Sequence, residues 1–339
     1  MSTATFVPET RALSGIDAKD VLRRTGRGRL LKDSIKRFSA ADGSSHSRAL
    51  AHAGILTFFP GLIAVVGLAT AYHLSMLRNI LDRTVAGLVP GPSGRILTEA
   101  LHQGSKTAGS AALIAGLAAT LVSGAIAMAQ IERGANRVYG IERDRPAHRR
   151  YLVAFLLDLT AGIMLVGAFV LLAAGGALAD AFRSNGWSST AATGFSIARW
   201  PAGVLLAVAA ITLIFKVAPD RHQPKFSWLV GGTVVATVLW LVFTGLLTLY
   251  FTVDKQLGQT YGPLLWIIGL LLWAYLTSIA IYLGLAFAAQ LESLRTLPPA
   301  PSTLSEPDVT VTLPEAEPVP AAPVTGDMPP PSGGVGSAT

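Results

Sequence analysis

Six long apolar runs break up this chain, and nothing else in the sequence constrains its fold as strongly. They cover about 49–74, 108–131, 151–182, 202–218, 228–251 and 264–290. Crossing the hydrocarbon core of a bilayer takes about 20 apolar residues in a helix. Helices of a soluble bundle would carry a polar stripe on their outer faces, whereas runs two to six have almost no charge on any face. The sequence therefore predicts an all-α fold: a polytopic membrane helical bundle of six transmembrane helices. The fourth run is the shortest; Ile197 to Trp200 extend it, with Pro201 in its first turns.

The flanks set the domain plan. Residues 1–20 are polar and patternless and read as a disordered tail. Residues 21–48 are basic. Within them Leu31, Ile35 and Phe38 fall at helical spacing, with Lys32 and Lys36 off that line. This is the pattern of an N-terminal amphipathic helix lying on anionic headgroups, or packing on the bundle, or both. Residues 49–295 form the transmembrane domain. Residues 296–339 hold several acids, many prolines and no Lys or Arg, and read as a disordered acidic tail.

Only 14% of residues are charged, yet the formal net charge is +7. In a soluble protein that excess would point to nucleic acid. Here 20 of the 27 Lys and Arg fall on one side of the predicted bundle and seven on the other. The positive-inside rule then places both termini in the cytoplasm and accounts for the basic charge by topology. No nucleic-acid partner is expected; membrane lipids are, and self-association stays open. The chain has no cysteine, which excludes disulfides, thiolate metal sites and a cysteine nucleophile. Six scattered histidines form no ligand cluster, and no phosphate-loop, HExxH or GxSxG pattern occurs, so no catalytic residue, metal or cofactor is assigned.

A few residues mark a candidate transport pathway. Asp158 is the one acid well inside an apolar run; such residues often mark ion or proton routes, although at the end of a run water can reach them. Pro60 lies mid-run and frees a backbone carbonyl. Tyr275, Ser278 and Tyr282 share one face of the last span, fit either to line a cavity or to bond between helices. In run two, Ala112, Gly116, Thr120 and Gly124 form one ladder of small residues, and Ala115, Ala119, Ser123 and Ala127 a second beside it. Both suit close helix contact in lipid.

Several ordered motifs resemble the YihY/BrkB family of bacterial inner-membrane proteins, once labelled ribonuclease BN, over roughly residues 30–295. Asp42 precedes Ala49-Leu50-Ala51 and Thr57-Phe58-Phe59-Pro60. Ala135-Asn136-Arg137-Val138-Tyr139-Gly140 resembles the family's Asn-x-x-Tyr element. Ala218-Pro219-Asp220-Arg221 resembles its Pro-Asp/Asn-Arg loop. Tyr261-Gly262-Pro263 leads to Trp273 and Gly284. Where the family commonly ends its last span with Gly-Ala-Glu, this chain reads Gly284-Leu285-Ala286, so no role of that Glu transfers. The resemblance implies a cytoplasmic-membrane protein linked to envelope integrity and lipid export, hence a transporter or flippase-like protein and not an enzyme. The alternatives are a non-transporting scaffold and, less favoured, a membrane-bound ribonuclease.

Overall fold

A computed structural model describes residues 4–10, 13–72, 109–184, 186–253 and 263–296. Among these the chain is helical, with no strand. Two short helices come first, α1 (Gly15–Thr25) and α2 (Arg27–Ala40). Six long helices follow: α3 (Gly43–Ala71), α4 (Gly109–Tyr139), α5 (Ala147–Ser184), α6 (Ser189–Val217), α7 (Phe226–Val253) and α8 (Pro263–Thr296). All six are long and apolar enough to cross a membrane. Their outward side chains fit that solvent: Ile114, Val122, Val166, Leu205, Leu246 and Leu249 are exposed.

Two expectations change. The fourth span is not short. Ser188 caps α6 by accepting from the Ala191 N–H, and Pro201 falls in the helix interior, not its first turns. Nor is the N-terminus patternless throughout. Residues 4–10 are bonded into the bundle without regular secondary structure, and α1 starts at a capping box in which Asp17 accepts from the Ser14 N–H and hydroxyl. That bonding, above all from the Ser14 N–H, holds the Asp17 carboxyl below its usual range. The basic segment is thus two helices. On α2, Leu30, Ser34 and Arg37 face inward while Leu31 and Ile35 stay exposed beside Lys32 and Lys36. It packs on the bundle and still presents an apolar, basic outer line.

Small residues bring the spans together. Gly67 on α3 lies against the Leu113 backbone on α4, and a Cβ at Gly116 would sit 2.6 Å from the Ala64 nitrogen. Gly61 faces Thr120. The ladder through Ala112, Gly116, Thr120 and Gly124 therefore faces neighbouring helices. Its companion does not: Ala115 and Ala119 are exposed, and only Ala127 is buried. On the other side of the bundle Gly232 of α7 meets Gly284 of α8; a Cβ on either would lie 2.6 Å from the other's carbonyl oxygen. Trp273 donates its indole N–H to the Thr244 hydroxyl across the same pair, 3.2 Å away. Large, fully buried side chains gather instead at one end, where Leu30, Tyr139, Phe215, Trp228, Leu285 and Leu291 pack together.

Candidate functional site

Polar chemistry sits in two places, one inside a span and one at the end where the large side chains cluster. Inside the span, α5 is helical throughout but carries two π-helical turns, Asp158–Gly162 and Val170–Ala174. A π turn inserts a residue, widens the helix and loosens its hydrogen-bond ladder; such turns are frequent at functional sites. Asp158 begins the first one. Its carboxylate lies directly against Gly124 of α4, whose missing side chain makes the room, and against Gly162 of its own turn. It makes no hydrogen bond or ion pair among the described residues. A carboxylate in an apolar span without a partner is costly and rare outside ion or proton routes.

At the other place, residues far apart in sequence converge on the end of the bundle that holds the start of α3, the ends of α4, α6 and α8, and the starts of α5 and α7. Arg145 binds Glu132 and Asp220, both at 3.0 Å, and donates to the carbonyls of Val217, Ala218 and Pro219. Arg137 donates to the Ile141 and Glu142 carbonyls. Arg145 thus serves carbonyls at the C-terminus of α6, where four would otherwise lack partners and the dipole favours cations, while Arg137 ties down the loop that follows α4. Asn136 joins the two loops, donating to Asp144 and accepting from the Asp220 N–H. Arg221 pairs with Glu292 at 2.7 Å, with side-chain exposures of 3% and 0%, and its guanidinium lies over the Tyr139 ring.

The N-terminal segment seats on this network. The Ala4 and Val7 N–H groups donate to the Arg137 and Tyr139 carbonyls. Arg37 donates to the Thr5 and Val138 carbonyls, Arg221 to those of Val7 and Pro8, and the Thr10 hydroxyl to Glu292. Glu9 accepts from the His222 backbone N–H and meets its ring Nδ1. Burial pushes the Arg37 guanidinium below its usual range, and the His222 N–H holds the Glu9 carboxyl below its own.

Residues 34–306 match the family model described as Virulence factor BrkB. The chain is a member of the BrkB family. This BrkB-family protein is also similar to a ribonuclease-like protein of Bacillus subtilis, YfkH, with 27% identity over 271 residues, covering 79% of this chain and 97% of that one. A UPF0761 membrane protein of Stenotrophomonas maltophilia is 27% identical over 254 residues, covering 74% of this chain and 58% of the relative. One of Azoarcus is 29% identical over 272 residues, covering 78% and 65%. The chain thus spans less than two thirds of the length of those two relatives. No solved structure matches it. It is an integral membrane protein, with six helices among the described residues long and apolar enough to span a membrane, of a family with bacterial members.

The family-motif positions divide by structure. Asn136, Tyr139 and Pro219 meet in the polar network, with Asp220 and Arg221 beside them. Trp273 and Gly284 instead hold the α7–α8 seam, and Asp42 turns the corner into α3 at a left-handed φ of 52°. Tyr261 and Gly262 lie outside the described residues. Among the pathway candidates, Pro60 sits in an unbroken α3, one residue before the α3–α4 contact at Gly61. Tyr282 is fully buried. Its hydroxyl donates to the Gln130 carbonyl, its ring packs on Gly134, and His46 lies 6.2 Å away, ring to ring. Ser278 bonds within its own helix to Ala274, and Tyr275 is half-buried. Structure does not bring Tyr282 to Asp158. Sequence reading missed Glu132 and Glu292, acids just past apolar runs, and the inward roles of Arg37, Arg145 and Arg221. Among the described residues no three His, Asp or Glu side chains are grouped to hold a metal ion.

Proposed function

We propose that this BrkB-family protein is an ion-coupled transporter of the bacterial cytoplasmic membrane, with its polar end and both termini in the cytoplasm. The observation behind it is Asp158: an acid in an apolar span, in a π turn, against a glycine of the next helix, without a bonded partner among the described residues. Protonation or cation binding would remove the charge that resists movement along α4, and the absent side chain at Gly124 leaves room for that movement. The cargo is amphiphilic, a lipid or lipid-like molecule, following the envelope link that the family resemblance implies. The Lys and Arg count supports the orientation. Leu31 and Ile35, beside Lys32 and Lys36, would then rest on anionic headgroups of the inner leaflet.

No enzymatic role is proposed. A ribonuclease reading would use arginines open to phosphate; Arg137, Arg145 and Arg221 are engaged by carbonyls and carboxylates, and the exposed Arg143 and Arg149 flank the start of a span, where topology accounts for them. Reconstitution tests the proposal. Proteoliposomes with an imposed proton gradient should move fluorescent phospholipid faster than liposomes without protein. Asp158→Asn should lose the gradient-dependent part while Asp158→Glu keeps some of it, both variants remaining monodisperse in detergent. Flux equal in wild type and Asp158→Asn would refute the role of the carboxylate.

A further inference from the structure

The segment 4–10 is bonded more thoroughly than a connecting tail needs to be. Its backbone gives N–H donors to the C-terminal carbonyls of α4 and takes donors from Arg37 on α2 and Arg221 in the loop between α6 and α7. Its side chains reach Glu292 on α8 through Thr10 and His222 through Glu9. Val7 is fully buried, while Phe6 next to it is 61% exposed. Gly140, at φ +77°, is what lets the segment lie flat: a Cβ there would fall 2.6 Å from the Phe6 nitrogen. One heptapeptide thus ties together elements from four separate parts of the chain.

The ties are also reversible in kind. They are hydrogen bonds to its backbone, some of them from the Arg37 and Arg221 guanidiniums, the Thr10 hydroxyl on Glu292, two small apolar side chains (Ala4 and Val7), and an exposed Glu9–His222 contact with side-chain exposures of 40% and 65%. Each is modest in net free energy, since water replaces the bonds on release. Beneath them, the Arg221 Nε is buried with no bonded partner among the described residues. A polar cluster held dry and partly unsatisfied is one that gains from exposure to water or a polar ligand. That lowers the cost of lifting the segment.

We propose that residues 4–10 are a strap that holds the polar end of the bundle shut, and that the strap lifts during each transport cycle. The inference rests on the transport reading for its second half only. With the strap seated, the ends of α4 and α8 and the 219–222 loop are clamped as one body. With it lifted, Arg37 loses the Thr5 carbonyl, Arg221 loses those of Val7 and Pro8, and the α4 terminus loses the two N–H donors that Ala4 and Val7 supply.

The full chain, which has no native cysteine, suits the test. Glu9→Cys/His222→Cys joins the strap to its seat when treated with a short bifunctional thiosulfonate, and reductant releases it. Val7→Asp unseats the strap by burying a charge; Phe6→Ser, at an exposed position, is the control. Hydrogen–deuterium exchange is read over residues 137–141 and 219–222, and lipid flux in parallel. The strap predicts exchange about tenfold faster in Val7→Asp and unchanged in Phe6→Ser. It predicts that crosslinking stops flux and that reduction restores it. Unchanged exchange in Val7→Asp overturns the strap itself, as does full flux in the crosslinked protein. Faster exchange in a protein that moves no lipid under any condition upholds the clamp and removes the transport reading.

Discussion

The buried pair Arg221–Glu292 offers the sharpest test of how the polar end is held. The two charges lie 2.7 Å apart at 3% and 0% exposure. At an effective dielectric near 20, Coulomb attraction at that separation is on the order of 6 kcal/mol. Desolvation costs several kcal/mol for each ion, so the pair as a whole contributes little. Removing one partner is different, because the other stays buried and uncompensated. Arg221→Met and Glu292→Met should each cost about 3–5 kcal/mol. The double variant strands no charge. It loses the bonds to Val7, Pro8 and Thr10, worth about 1–3 kcal/mol together. It should therefore be more stable than either single variant. Unfolding by SDS titration in mixed micelles, followed by tryptophan fluorescence, measures all three. A double variant as unstable as the sum of the singles would refute the reasoning, because two independent losses add and a desolvated pair does not.

Two further outcomes follow from packing and charge. Gly116→Val places atoms against the Ala64 backbone and should cost about 1–3 kcal/mol or more in the same titration, while Ala119→Val, on the exposed ladder, should change stability little. Glu9, whose carboxyl is held below its usual value of 4.5 chiefly by the His222 N–H, contributes stability that is present above that value and lost as pH falls through the lower folded one. Exchange protection of residues 4–10 should therefore be level from pH 7 down to about 5 and fall on further acidification; Glu9→Gln should start with weaker protection and flatten that fall.

The spans were legible because lipid imposes one simple rule on length and charge. Run lengths alone predicted six helices. The start of α6 was missed because Ser189 to Trp200 mixes Ser, Thr and Arg199 with apolar residues, which average out as a loop. Of the two small-residue ladders, nothing in the sequence says which one meets a neighbour, since both have the same spacing. Only the opposing Gly61, Ala64 and Gly67 on α3 decide between them, and pairing them needs three dimensions. The N-terminal segment was illegible for a related reason. Most of its bonds are made by backbone atoms, and backbone atoms leave no signature in a sequence. Glu132 and Glu292 were hidden by position: an acid just past an apolar run ordinarily meets water, and only the arriving arginines keep these two dry.

The same logic separates the two sites. At the polar end, Asn136 and Tyr139 come from one motif and Asp220 and Arg221 from another, and each bonds to, or stacks on, a residue of the other motif. Every charge there except a few buried oxygens and nitrogens has a partner, and what such a network does best is fix the relative placement of the helix ends. Asp158 is the opposite case. It belongs to none of the resemblance motifs, has no bonded partner among the described residues, and lies against a glycine of the next helix, in a span loosened by two π turns. A residue whose task was to hold the bundle together would be expected to have a partner; one whose task is to pick up a proton or cation must be free of one for part of its cycle. Fixed ends and an unpartnered acid within the span are therefore complementary features, a frame and a moving part, and on this reading substitutions in the network should act first on stability and those at Asp158 first on flux.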